Sequence, residues 1–192
     1  MRLVGEVDAD RLARDLEAVA AFSECDPAVG FSRPTFSSSW RKARDYVIQR
    51  AEAAGCRVRV DAAGNVHARP GGMTWEQRAW LCGSHIDSVP TGGKFDGVTG
   101  VVAALELLRI SPRAPLELIV FAEEEGTTFG LGMLGSKAWA GTITAAELAG
   151  LRNAEGKDYL SAGAEHGVDA ARLPSDRLCA QRYASSRLLP QR

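Results

Sequence analysis

LELIVFAEEEG, residues 116–126, is an apolar run broken only by Glu117 that leads straight into three carboxylates and a glycine. Upstream, WLCGSHID (80–87) repeats the design: a short apolar strand enters polar residues, and the glycine-rich TGGKFDGVTG (91–100) follows. Between the two runs, residues 98–110 form a strongly apolar helical stretch. A strand, a helix and a strand with continuous apolar runs make a βαβ unit in a buried, mostly parallel region. The fold expected is therefore α/β, a mostly parallel sheet with flanking helices. In such sheets ligands gather beyond the carboxyl ends of the strands, and both polar clusters fall there.

Working outward, the apolar positions Leu12, Leu16, Val19 and Ala20 recur at helical spacing between Asp8 and Ser23. FSRPTFSSS (31–39) reads as a loop broken by Pro34, with serines able to cap a second helix. That helix carries Trp40, Ala43, Val47 and Ala51 on one stripe and stops at Gly55. CRVRVDAAGNVHAR (56–69) alternates around Ala-Gly-Asn and reads as a hairpin. A further helical piece is expected over 135–140, and 145–169 reads as a helix followed by polar loops. The end of the chain, from 177 on, has no amphipathic period and is rich in arginine.

The 192-residue chain is 45% hydrophobic and 24% charged, with a formal net charge of −1. These are ordinary values for a soluble globular domain with one core. Basic residues are scattered, so neither nucleic acid nor an anionic membrane is expected as a partner. The N-terminus is too acidic and polar for a signal peptide, and a cytoplasmic location is the expectation. Cys25, Cys56, Cys82 and Cys179 form no Cys-x-x-Cys pair, so ordinary thiols are expected rather than a thiolate zinc site or a disulfide framework.

His85 and Asp87 stand two apart at a strand end, where alternate residues point the same way. A metal-bound imidazole usually donates its other ring N–H to an acceptor that fixes the tautomer, and Asp87 is placed to be that partner. Asp96 follows in a loop framed by Gly92, Gly93, Gly97 and Gly100. Glu123, Glu124 and Glu125 crowd negative charge and would raise one another's pKa unless a cation sits nearby. Alternation predicts that Glu123 and Glu125 share a face, with Glu124 on the other. Either cluster alone also occurs at solvated strand ends, but together in one βαβ unit they point to a metal site. His67 and His166 lie outside it and are expected at the surface or half-buried.

GSHIDSVPTGGKFDGVTGV (83–101) and FAEEEGTTFGLGMLGSKAWAG (121–141) resemble the two signature stretches of the zinc-dependent amidohydrolases of the hydantoinase/carbamoylase group. That group includes allantoate amidohydrolases, N-carbamoyl-L-amino-acid hydrolases and β-ureidopropionases. It is a branch of the aminoacylase/carboxypeptidase-like metallopeptidases. The similarity runs from about Arg11 to about Tyr183. It implies a phosphorylase/hydrolase-like catalytic domain acting on a small ureido or amide substrate. It implies His85 as a ligand of one metal, Asp87 as its orienting carboxylate and Asp96 as a bridge. Glu124 would be the general base and Glu125 a ligand of a second metal. Two divalent ions about 3.5–4 Å apart would acidify a water. Zinc is the expected metal, with manganese, cobalt or nickel as alternatives. A cis peptide after Asp96 is also implied.

The family places a further ligand histidine in a His-Ile-Glu-Gln-Gly stretch, then a smaller dimerisation domain and a last ligand histidine. None is found in these 192 residues. Residues 1–183 are thus expected to be the N-terminal part of an incomplete catalytic domain, and the chain an inactive version of such an enzyme. Residues 184–192 read as a divergent tail from a truncation or frameshift, and the family homodimer would lack its dimerisation domain. The alternatives are an aminopeptidase or aminoacylase of the same broad family, or a non-catalytic remnant.

Overall fold

The computed structural model describes residues 5–178 and 182–183. Helix α1 (Ala9–Ala21) starts at Asp8, whose carboxylate accepts the Arg11 N–H at 2.9 Å. Such a cap contributes about 1 kcal/mol. Its apolar stripe turns inward, with Val19 and Ala20 buried. After a three-residue strand β1 (Phe31–Arg33), α2 (Ser38–Ala53) is capped by the Ser37 hydroxyl. Trp40, Ala43, Val47 and Ala51 are all buried, as their spacing required. Strands β2 (Cys56–Val60) and β3 (Val66–Pro70) form the expected hairpin, with Val60 opposite Val66.

Strand β4 (Trp80–His85), strand β5 (Ser88–Gly92), helix α3 (Val98–Ile110) and strand β6 (Leu116–Phe121) follow. β4 and β6 pair in parallel with α3 as the crossover, which is the βαβ unit read from the sequence. Val101, Leu105 and Leu108 of α3 are fully buried. Each such side chain contributes about 1.5–3 kcal/mol, so packing rather than helix propensity holds α3 in place.

The expectation of a mostly parallel sheet is overturned. The four-stranded sheet has the order β2-β3-β6-β4, and only β4/β6 is parallel; β2/β3 and β3/β6 are antiparallel. A second, two-stranded sheet pairs β1 with β5 antiparallel. The physical reason lies in β6. A continuous apolar run reports burial on both faces and carries no information on the direction of its neighbours. The hairpin lays β3 on the free side of β6, and it arrives antiparallel.

Alternation along the strands divides the protein into layers. Val66, Ala68, Leu116, Leu118 and Val120 pack into one cluster with α1, α2 and α3. Their neighbours His67, Arg69 and Glu117 point the other way, where the His67 ring meets Trp139 of α4 (Leu134–Ala140) edge-on. A second cluster there gathers Leu134, Ala138, Leu148 and Tyr159 from α4, α5 (Ala145–Gly150) and α6 (Tyr159–Gly163). The region expected to be one helix and loops thus holds two short helices, each started by its own cap, Thr144 and Asp158. Among the described residues no helix is long and apolar enough to cross a membrane.

Both outlying histidines prove to be buried. His67 has no solvent exposure, with Nδ1 2.6 Å from Glu117 Oε1 and Nε2 3.0 Å from Asp61 Oδ2. Burial opposes its charge, but the hydrogen bonds to Asp61 and Glu117 outweigh burial and raise its pKa. Glu117 is pushed up by burial and brought below the ordinary carboxylate range by His67 and Arg69. His166 stacks on Phe36 at 5.2 Å and meets Trp40 edge-on. A buried pair of carboxylates and an aromatic box, neither adjacent in sequence, explain why these histidines lie inside.

Candidate metal centre

The parallel pairing of β4 and β6 sets His85 opposite Phe121, so the chain leaves both strands at the same edge. His85 is 7% exposed, and its Nδ1 lies 2.9 Å from the main-chain carbonyl of Asp87. A carbonyl can only accept, so Nδ1 carries the proton and Nε2 presents its lone pair. Nε2 lies 3.8 Å from Glu124 Oε2 and 3.9 Å from Asp96 Oδ1. Donor atoms of His85, Glu124 and Glu125 all fall within 4.8 Å of one another. The Nε2 lone pair thus faces carboxylates from two loops.

Asp87 faces the His85 ring with both its main chain and its side chain. Its carbonyl orients His85, while the carboxylate is 3.7 Å from Nδ1. The Glu125 N–H donates to Asp87 Oδ2 at 3.0 Å, which ties the end of β4 to the loop after β6. Its Oδ1 is buried without a hydrogen-bond partner. Burial pushes the Asp87 carboxyl up to about 6, against the pull of the Glu125 amide and of His85.

The alternation expected for the three glutamates also fails. β6 ends at Phe121, and Glu123 takes a positive φ of 51°. The two-residue period stops there, so Glu124 and Glu125 both reach His85 while Glu123 turns inward and is fully buried. Its Oε1 accepts the N–H groups of Thr128 and Phe129, both at 2.9 Å. Those bonds support a backbone conformation that costs a non-glycine residue about 1–3 kcal/mol.

Asp96 is brought over His85 by Gly97, whose φ of 65° and ψ of −48° form a tight turn closed by Val98 N–H to Asp96 O at 2.6 Å. A Cβ at Gly97 would lie 2.6 Å from both Cε1 and the carbonyl oxygen of His85. Only glycine fits. The peptide after Asp96 is trans, as are all those among the described residues, which corrects the cis bond implied by resemblance.

The donor set fits a divalent cation: one imidazole of defined tautomer faces carboxylates that crowd one another. Burial raises the Glu125 pKa, and against the pull of His85 the neighbouring Asp96 and Glu124 raise it further. The His85, Glu124 and Glu125 cluster could hold one metal ion. Two supporting residues were invisible in the sequence. Arg33, buried, donates to the carbonyl of Ile86 between His85 and Asp87. Asn65, a turn residue by its Ala-Gly-Asn setting, holds Ala122 at the end of β6.

The chain is similar to known proteins over most of its length. The profile of peptidase family M28 matches residues 65–166, more than half of the chain. The chain is 39% identical over 154 residues to an N-carbamoyl-L-amino acid amidohydrolase of Geobacillus stearothermophilus, covering 77% of this chain and 37% of that protein. It is 34% identical over 143 residues to an allantoate amidohydrolase of Escherichia coli K12, covering 71% and 35% respectively. A crystal structure of a hydantoinase/carbamoylase family amidase from Burkholderia ambifaria superposes with a TM-score of 0.79 at 35% identity, over 88% of this chain and 42% of that one. The chain thus spans less than half the length of the relatives it matches. It belongs to peptidase family M28 and is similar over most of its own length to amidohydrolases of the hydantoinase/carbamoylase group.

Proposed function

We propose that this site serves metal-dependent hydrolysis of a non-peptide C–N bond in a ureido or N-carbamoyl compound, such as allantoate or an N-carbamoyl amino acid. The observation that carries the proposal is the meeting of His85 Nε2 with Glu124, Glu125 and Asp96 where β4 and β6 end. The names of the relatives support the substrate class. His85 and Asp96 would hold one divalent ion, Asp96 and Glu125 a second, with zinc the preferred metal and manganese, cobalt or nickel as alternatives. Bound there, such ions acidify water and polarise the carbonyl under attack.

The chain's own residues do the rest. The Asp87 carbonyl holds His85 by Nδ1 and leaves Nε2 facing the carboxylates. Glu124, with its side chain 38% exposed, reaches the solvent-facing side of the cluster, where it takes a proton from the attacking water and returns it to the leaving nitrogen. Such general acid–base work is typically worth about 10²–10⁴-fold in rate. Asp87, anchored to the Glu125 amide, holds the two loops in register.

The test measures zinc uptake by the chain and by His85→Ala, then ammonia release from N-carbamoyl-L-amino acids and allantoate beside free amino acid release from dipeptides. Zinc uptake indifferent to His85→Ala would end the metal reading. Preferential cleavage of dipeptides would replace the ureido reading with an aminopeptidase one, which the peptidase family match favours.

A further inference from the structure

The Glu124–Glu125 loop leaves the sheet at Ala122, which is fully buried. Neither main-chain group of Ala122 is bonded to a strand. Its N–H donates to Asn65 Oδ1 at 3.0 Å, and its carbonyl accepts the Gly135 N–H at 2.9 Å. Asn65 closes the triangle by donating from Nδ2 to the Gly135 carbonyl at 3.0 Å. It also donates from Nδ2 to Asp61 Oδ2 at 2.9 Å. Asp61 is itself held: its Oδ1 accepts the N–H groups of Ala63 and Asn65 at 2.9 and 3.0 Å, and its Oδ2 lies 3.0 Å from His67 Nε2. Asn65 and Asp61 have no solvent exposure. The joint has no slack, since a Cβ on Gly135 would fall 2.1 Å from Asn65 Oδ1.

We propose that Asn65 is a positioning residue of the metal centre, one that sets where β6 stops and therefore where Glu124 and Glu125 swing toward His85. In an uninterrupted ladder Ala122 would seek another strand partner. The Asn65 carboxamide supplies the acceptor instead and ties the same point to the first turn of α4, so the chain is free to turn at Glu123. Asn65 touches none of the metal-facing atoms and acts through the backbone two residues before Glu124. The inference rests on reading His85, Asp96 and Glu125 as metal-binding and Glu124 as the base beside them, but its structural half can be measured without metal.

The experiment compares the 192-residue chain with Asn65→Ala, Asn65→Asp and, as a control of stability alone, Val47→Ala in the α2 core. Amide hydrogen exchange and zinc affinity by competition titration are read on each. Asn65→Ala should speed exchange across 122–129 at least tenfold relative to Val47→Ala, with α2 unaffected, and weaken zinc about tenfold, the lower end for residues that support ligands from behind. Asn65→Asp retains the acceptor for the Ala122 N–H and lacks both donors. It should keep protection at Ala122, lose it in the first turn of α4, and weaken zinc less. Exchange across 122–129 no faster than in Val47→Ala, or zinc affinity equal to the parent's, overturns the proposal. If Asn65→Ala does not fold, Asn65→Asp decides: unchanged exchange in α4 overturns it. A parent chain that takes up no zinc defeats the metal reading, and the exchange arm then decides alone whether Asn65 sets the loop.

Discussion

Gly97→Ala offers a direct measure of how tightly Asp96 is held over His85. Two costs add. The backbone at Gly97 (φ 65°, ψ −48°) lies where a residue with a Cβ is strained, at about 1–3 kcal/mol. The new methyl would also sit 2.6 Å from His85 Cε1 and 2.6 Å from its carbonyl oxygen. The ring cannot retreat easily, because Nδ1 is bonded to the Asp87 carbonyl and His85 ends a strand paired to β6. Overpacking of this kind costs about 1–3 kcal/mol more. The sum, about 2–6 kcal/mol, is a large part of the roughly 5–15 kcal/mol that stabilises a typical domain. For a chain of this size, about 3 kcal/mol lowers Tm by roughly 6–12 °C. Gly93→Ala is the control: a Cβ there meets nothing within 4 Å, and the backbone has no positive φ. Thermal unfolding by circular dichroism and zinc titration should separate the two variants, with Gly93→Ala within about 0.5 kcal/mol of the parent. Equal stability and equal zinc affinity in both would refute the reasoning about the turn.

In a full-length version, Glu124→Gln should keep the metal and lose about 10²–10⁴-fold in turnover, whereas Asp96→Ala should release metal; metal content beside initial rates checks both, and the reverse pattern would exchange their roles. Stability should depend on pH through the buried pair His67 and Glu117. The Glu117 pKa is depressed below 4.5, so its contribution is full above that value and is lost as pH falls through the folded pKa. The His67 pKa is raised above 6.5, so its contribution is full below that value and is lost as pH rises through the folded pKa. Urea midpoints should therefore be highest between about pH 4.5 and 6.5, and His67→Phe should flatten the alkaline limb. Glu106→Ala should destabilise by about 1–3 kcal/mol, because the buried Glu106 carboxylate accepts the Asp8 N–H and two bonds from Arg11, joining α1 to α3; chemical denaturation that shows no loss would argue against that link.

What could be read in advance was whatever local periodicity and chain connection determine. The stripe Trp40, Ala43, Val47 and Ala51 buries itself because helical spacing leaves it no other arrangement. The crossover from β4 through α3 to β6 forces both strand ends to one edge, so His85 and the glutamates had to be neighbours once the βαβ unit was recognised. The free thiols expected of Cys25, Cys56 and Cys82 follow the same pattern, since their spacing allowed no local pairing.

The rest depended on partners distant in sequence. Nothing in VHARP (66–70) says that β3 will lie antiparallel on β6, because the hydrogen-bonding edge of a buried strand is the same for either direction. Which glutamate turned inward hung on the single positive φ at Glu123, held by amides five and six residues on. His67 looked peripheral until Glu117, fifty residues away, closed on its ring. Sequence by itself determined the βαβ unit and its apolar faces. Tertiary structure alone decided strand direction, the inward Glu123 and the carbonyl that sets the His85 tautomer, because each of these depends on contacts that exist only after distant segments have packed.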